Sequence, residues 1–208
     1  RTATYWFSAD RTPERLAAAK EAIDRAFRLR PDLPEAHFAL AAYYYRGFYD
    51  YPRALEQLEI ARRGPGLGDA LLLVGYGNGR GEPFEWDGRR GFRWEPVGVR
   101  RWGRNRVAAT EREVAGSGMS THAFVTLFSA GEPEEAQAAV GDSGGGAFVR
   151  RRGSWKLAGI LISVATHPGQ PPQTAVDGNA THIADLSQYR EQIEAVTGLR
   201  SAPEPGAR

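Results

Sequence analysis

The sequence predicts an α+β chain of more than one domain, with helical hairpins first and then an antiparallel β-barrel closed by a C-terminal helix. Three observations carry this reading. From Pro13 to about Arg63 the chain is rich in the helix formers Ala, Leu, Glu and Arg, with no isolated glycine before Gly47. Gly64-Pro65-Gly66-Leu67-Gly68 then breaks that texture and marks a boundary. Beyond it come short β-branched, aromatic or alternating runs set between Gly, Pro and Asp turns, the pattern of a barrel or sandwich.

Ala17, Ala18, Ile23, Ala26 and Phe27 recur at helical spacing and meet Pro31, which predicts a first helix. Ala36, Leu40, Tyr43 and Tyr44 predict a second, ending at Gly47. A third is expected from Pro52, a residue suited to a first helical turn, through Ala54, Leu55, Leu58, Ile60 and Ala61 to Gly64. Strands are expected at Leu71 to Val74, Arg93 to Val99, Asn105 to Ala109, His122 to Phe128, Gly145 to Val149, Lys156 to Val164 and Thr181 to Ala184. Gly75 to Gly81 reads as a turn, because no helix pattern follows it and the Lys-Ser/Thr pair of a phosphate loop is absent. Asp177-Gly178-Asn179 reads as a hairpin-type turn. Leu186 to Val196 closes the barrel segment with a helical pattern, and Ser201 to Arg208 is small, polar and Pro-rich, as a disordered tail is. The expected segments are therefore 1–64, 65–197 and 198–208.

Composition narrows the function classes. At 208 residues and 41% hydrophobic content the chain can bury a sizeable core. Lys and Arg number 27 against 25 Asp and Glu, and a net charge of +2 is too small for the whole surface to receive a polyanion. With no cysteine, disulfides and thiolate metal sites are excluded, and the best clue to compartment is lost, so localisation stays unknown. No apolar run approaches the length that spans a bilayer, so no membrane insertion is expected. The chain begins with Arg1, and residues 1–10 lack the apolar core of a signal peptide, so the N-terminus is treated as open to truncation.

Ala19, Ile23 and Ala26 recur as Ala54, Leu58 and Ala61, each shifted by 35 positions. The stretch from Pro34-Glu35-Ala36-His37-Phe38-Ala39-Leu40 to Asp50-Tyr51-Pro52-Arg53-Ala54-Leu55 resembles a tetratricopeptide repeat, with one extra residue between Leu40 and Tyr51. The resemblance amounts to one full repeat plus the second helix of another, with a clipped first helix around Tyr5-Trp6-Phe7. It implies that these helices bind a protein partner, although such arrays usually need about three repeats to stand alone.

Gly141-Asp142-Ser143-Gly144-Gly145-Gly146, lying between Ala138 to Val140 and Ala147-Phe148-Val149, resembles the nucleophile loop of trypsin-like serine proteases. Glycines let such a loop adopt positive φ and approach a bound peptide closely. The similarity extends through Leu71 to Gly77, Arg101-Trp102-Gly103-Arg104-Asn105, Ser154 to Ile160 and Ala184 to Arg190, in order and spacing over residues 68–197. It implies the C-terminal barrel of a bacterial chymotrypsin-fold protease. By that resemblance Ser143 is the catalytic nucleophile and the N–H groups of Gly141 and Ser143 form the oxyanion hole. Asp142 is implied to be a buried carboxylate that orders the loop through an ionic partner, an arginine being the natural candidate. Gln137, six before the serine, is implied to form the base of the specificity pocket, and Ile162, Ser163 and Val164 its wall. A neutral amide at that base gives no strong preference for Lys or Arg substrates.

The family's catalytic His and Asp sit on an N-terminal barrel, and here tetratricopeptide-like helices take its place. His37, His122, His167 and His182 are the only histidines, and none stands in the Ala-Ala-His-like setting of such proteases. Each is expected to be structural or exposed. Without a base the serine hydroxyl stays protonated, and a disrupted triad retains roughly 10³ to 10⁴ over water. The expected function is a serine endopeptidase-related protein, weakly active or inactive, acting on a peptide or protein substrate without metal or cofactor. The competing expectation is a non-enzymatic interaction module whose barrel is structural. A half protease is also expected to expose an apolar face and to oligomerise unless the helices cover it.

Arg89, Arg90, Arg93, Arg100, Arg101, Arg104 and Arg106 alternate with Trp86, Phe92, Trp94 and Trp102, a mixture that nucleic-acid binders use. Period-two alternation with Val97, Val99 and Val107 fits a half-solvated strand better, so no nucleic-acid partner is expected. Glu132, Glu134 and Glu135 lack fixed ligand spacing and read as a solvated loop.

Overall fold

The computed structural model describes residues 12–31, 33–50, 53, 60–96, 98–116 and 118–197. Most of the third expected helix, the segment around Tyr5 and the expected tail lie outside them. The fold is α+β, with mostly antiparallel strands in two sheets and a C-terminal helix. The described residues up to Ile60 form one compact unit with Arg151–Lys156 and the stretch from Tyr189, while Ala61–Arg150 and Leu157–Gln188 form the other.

In the first unit, helix α1 (Pro13–Leu29) starts with proline at its first turn, where the missing N–H costs no hydrogen bond. Of the expected stripe Ile23 is buried, together with Ala19, whereas Ala17 and Ala18 are exposed. Helix α2 (Pro34–Tyr43) buries Ala36, Ala39 and Ala41 and brings His37 edge-on to Phe27, ring centroids 4.8 Å apart. It continues as a π-helical turn over Tyr44–Phe48, closed by Tyr49 at φ 54°. The expected end at Gly47 is thus met within two residues.

Residues 61–64 are bent rather than helical: the Ala61 N–H donates to Leu157 O at 2.9 Å, and Gly64-Pro65 allows no further turn. Strand β1 (Ala70–Gly75) then opens the second unit, followed by β2 (Gly79–Trp86), β3 (Arg89–Glu95), β4 (Arg101–Gly116) and β5 (Met119–Leu127). After the loop come β6 (Gly146–Arg151), β7 (Ser154–Ala165), β8 (Thr174–Val176), β9 (Ala180–Asp185) and helix α3 (Leu186–Thr197). Six strands close a ring in the order β1-β4-β5-β9-β7-β6. Leu71 faces Asn105 of β4 on one side and Val149 of β6 on the other. Inside the ring Leu71, Leu73, Phe124, Val149, Leu161 and Ile183 form a core at 4% exposure or less, each contributing about 1.5–3 kcal/mol by its burial.

The remaining strands make a separate sheet, β2-β3-β8. Gly79–Gly81, expected as part of a turn, begins β2, and a register shift between Arg80 and Pro83 accommodates the proline. Arginines of this sheet lie over aromatic rings, Arg80 on Phe92 at 4.4 Å and Arg93 on Phe84 at 4.6 Å. Asp177-Gly178 does not close a hairpin, because β8 and β9 belong to different sheets. The turn is tied instead to Arg90 O through Asp177 N and to Phe128 O through Gly178 N. No described helix is long and apolar enough to cross a membrane.

Candidate nucleophile loop

The loop between β5 and β6 is positioned from β1. Gly141 sits at φ 94°, and a Cβ there would stand 2.9 Å from the Gly77 Cα, so glycine is needed both for conformation and for space. Gly75, at the end of β1, has no Cβ where the Asp142 carboxylate lies. Into that space Asp142, 8% exposed, directs both oxygens: Oδ1 accepts the Gly77 N–H at 2.6 Å and Oδ2 the Ala139 N–H at 2.8 Å. Arg101 Nη2 donates to the carbonyl of the same Gly77. The far side of the loop is sewn to β7, with Gly144 N donating to Leu161 O at 3.0 Å and Leu161 N to Gly145 O at 2.8 Å.

Ser143 is exposed at the apex. Among the described residues, neither its N–H nor that of Gly141 donates a hydrogen bond, whereas Asp142 N, Gly144 N and Gly145 N all do. The loop therefore presents a hydroxyl together with two unused amide donors. Asp142 is buried, as expected, but among the described residues it makes no ion pair; two backbone N–H groups take the place of the ionic partner, and Arg101 reaches the loop only through Gly77.

Gln137 lines a cavity of about 310 Å³ together with Asp142, Leu161, Arg101, Phe92 and Trp94. Ser143, Ile162, Ser163 and Val164 do not line this cavity. Among the described residues, both polar atoms of the Gln137 amide are buried without a partner, as is Thr126 Oγ1. Thr126 lies opposite Thr181 in the β5/β9 register, and Thr181 Oγ1 accepts the Ala138 N–H at 3.0 Å. Ser163 instead faces His182 across β7 and β9, its Oγ 2.9 Å from Nδ1.

None of the four histidines bonds to Ser143 among the described residues. His37 rests against Phe27, His122 is exposed on β5, and His167 Nε2 lies 3.0 Å from Asp177 O with its ring stacked near Trp86. His182 is held below the usual imidazole range by burial. Glu135, expected in a solvated loop, is half-buried, with Oε1 accepting the Ser129 N–H at 2.9 Å; burial pushes its carboxyl up. Gly77 as the loop's anchor and His182 as a partner of Ser163 left no signal in the sequence, because both depend on strand register. The chain matches no protein-family model and no curated protein.

Proposed function

We propose that this chain is a trypsin-like serine endopeptidase-related protein in which Ser143 is the nucleophile, served by the N–H groups of Gly141 and Ser143 and weakly active or inactive for want of a base. One observation carries the reading: an exposed serine and two undonated N–H groups share a loop whose shape is fixed by the buried Asp142. The closed antiparallel ring followed by a C-terminal helix also supports it. In the reaction the Ser143 Oγ attacks a peptide carbonyl carbon, the two N–H groups hold the developing oxyanion, and the hydroxyl proton needs an acceptor. No imidazole bonded to Ser143 supplies one.

Prolonged exposure to a fluorophosphonate, followed by peptide mapping, tests this. Slow phosphonylation of Ser143, accelerated by free imidazole in the buffer, is expected. An unmodified Ser143 with imidazole present overturns the reading.

A second reading, protein binding by the tetratricopeptide-like helices, is favoured by the exposed aromatics Tyr45, Phe48 and Tyr49, at 46, 52 and 57% exposure. Saturable peptide binding that survives Ser143→Ala and disappears in Phe48→Ser supports it. Peptide binding abolished by Ser143→Ala sinks it.

A further inference from the structure

We propose that Ser163 and His182 form a second nucleophile and base, on the outer face of the ring, that takes up acyl groups from uncharged, apolar carboxylic esters. Among the described residues neither Ser163 nor His182 bonds to Ser143. A register shift between Leu161 and Ser163 sets Ser163 opposite His182, and Ser163 Oγ stands 2.9 Å from His182 Nδ1. That distance is the hydrogen bond through which an imidazole activates a hydroxyl.

Side chains alternate across a strand. Phe124, Leu161 and Ile183 point into the core, so their neighbours Val125 and His182 point outward. The residues on the outward face around the pair include Leu127 and the buried Val125 on β5, Ala180 and Ala184 on β9 and Ala165 on β7, paired through Val125↔His182, Leu127↔Ala180 and Ala165↔Ala180. None carries charge or titrates. The patch therefore suits an apolar acyl chain and offers nothing to a charged one. The same apolar setting favours the neutral imidazole, the form that can accept the Ser163 proton, and burial is the sole cause that lowers His182. Ser163 itself is exposed, so an ester can reach it.

In the first step the Ser163 Oγ bonds to the ester carbonyl carbon, its proton passes to His182 Nδ1, and the bond to the leaving alcohol or phenol breaks as that oxygen departs with the proton. Water then attacks the acyl carbon with His182 accepting its proton. The carboxylic acid leaves and the proton returns to Ser163.

The test uses p-nitrophenyl butyrate, following p-nitrophenolate release and mapping the butyryl group by mass spectrometry in wild type, Ser143→Ala, Ser163→Ala and His182→Gln. Release and a butyryl group on Ser163 are expected in wild type, and Ser143→Ala serves to subtract any release that stems from Ser143. Ser163→Ala and His182→Gln should lose roughly 100-fold or more, the scale of general-base assistance. In wild type the rate falls as pH drops past a point lower than the ordinary imidazole range, where His182 becomes protonated. Ser163→Cys, which keeps a nucleophile beside the imidazole, should become acylated on sulfur even if Ser163→Ala folds poorly. A butyryl group found only elsewhere, a rate unchanged in His182→Gln, or no release above buffer overturns the proposal. Loss in Ser143→Ala alone assigns the chemistry to Ser143 and overturns it equally.

Discussion

Arg101 and Asp142 hold the same residue from two sides: the guanidinium donates to the Gly77 carbonyl and the carboxylate accepts the Gly77 N–H at 2.6 Å. Strand β4 is thereby connected to the Ser143 loop through a turn that follows β1. Replacing Asp142 with Ala leaves the N–H groups of Gly77 and Ala139 without their acceptor, and we expect a loss of about 1–3 kcal/mol in urea unfolding. Combined with Arg101→Met in a double-mutant cycle, the two losses should fall short of additivity by at least about 0.5 kcal/mol. Strictly additive losses would mean that Gly77 does not couple them.

Gly141→Ala places a Cβ on a residue at φ 94° and within 2.9 Å of Gly77 Cα. The expected cost is about 1–3 kcal/mol, read from the urea midpoint. Amide shifts should concentrate at 75–78 and 139–145. A neutral substitution with unmoved amides at Gly77 would contradict the close approach.

Asn179, 1% exposed, accepts the Val176 N–H at 3.0 Å and Gln170 Nε2 at 2.9 Å, and donates to Gln170 Oε1 at 2.7 Å. This clasp fastens the turn where the chain passes from one sheet to the other. Asn179→Ala should cost about 1–3 kcal/mol, and hydrogen exchange at Val176 should quicken. Unchanged exchange at Val176 would show that the clasp is dispensable.

Glu135 has its carboxyl raised above the ordinary 4.5, with burial the leading cause and the Ser129 N–H opposing it. The folded state therefore favours the protonated form. That contribution is fully present below the unfolded value and is lost as pH rises through the folded one. Glu135→Gln, which keeps an acceptor for Ser129, should remove the dependence. Its urea midpoint should gain on wild type as pH climbs from 4 to 7. Parallel curves for the two proteins across that range would refute the assignment.

Contiguous apolar runs and amphipathic patterns were legible in the sequence. The buried runs of β1, β6 and β9 and the pattern of α3 fall within about two residues of expectation. Strand β2 was hidden by Gly79, Gly81 and Pro83, turn formers that an edge strand tolerates around a bulge. Strand β8 spans only three residues, too few for any period. Strand β4 runs on to Gly116, past the expected Ala109, because its distal half is exposed or only partly buried and shows no alternation. Within the candidate site, residues 137–146 are contiguous and so could be read together. The anchoring by Gly77, 65 positions from Asp142, and the Ser163 to His182 pair, 19 apart and set by a bulge, arise only when strands align.

The seam joining Leu71 to Val149 has a consequence for synthesis. A nascent chain that has passed the ribosome exit as far as β5 carries β1 with one edge bare, and that edge stays open until the strand ending at Arg151 emerges. Ring closure across so long a loop is slow. During the wait the apolar stretch Leu71-Leu72-Leu73-Val74 is offered to any neighbour with a matching edge, so crowding of translating chains is where this protein is most exposed to mispairing.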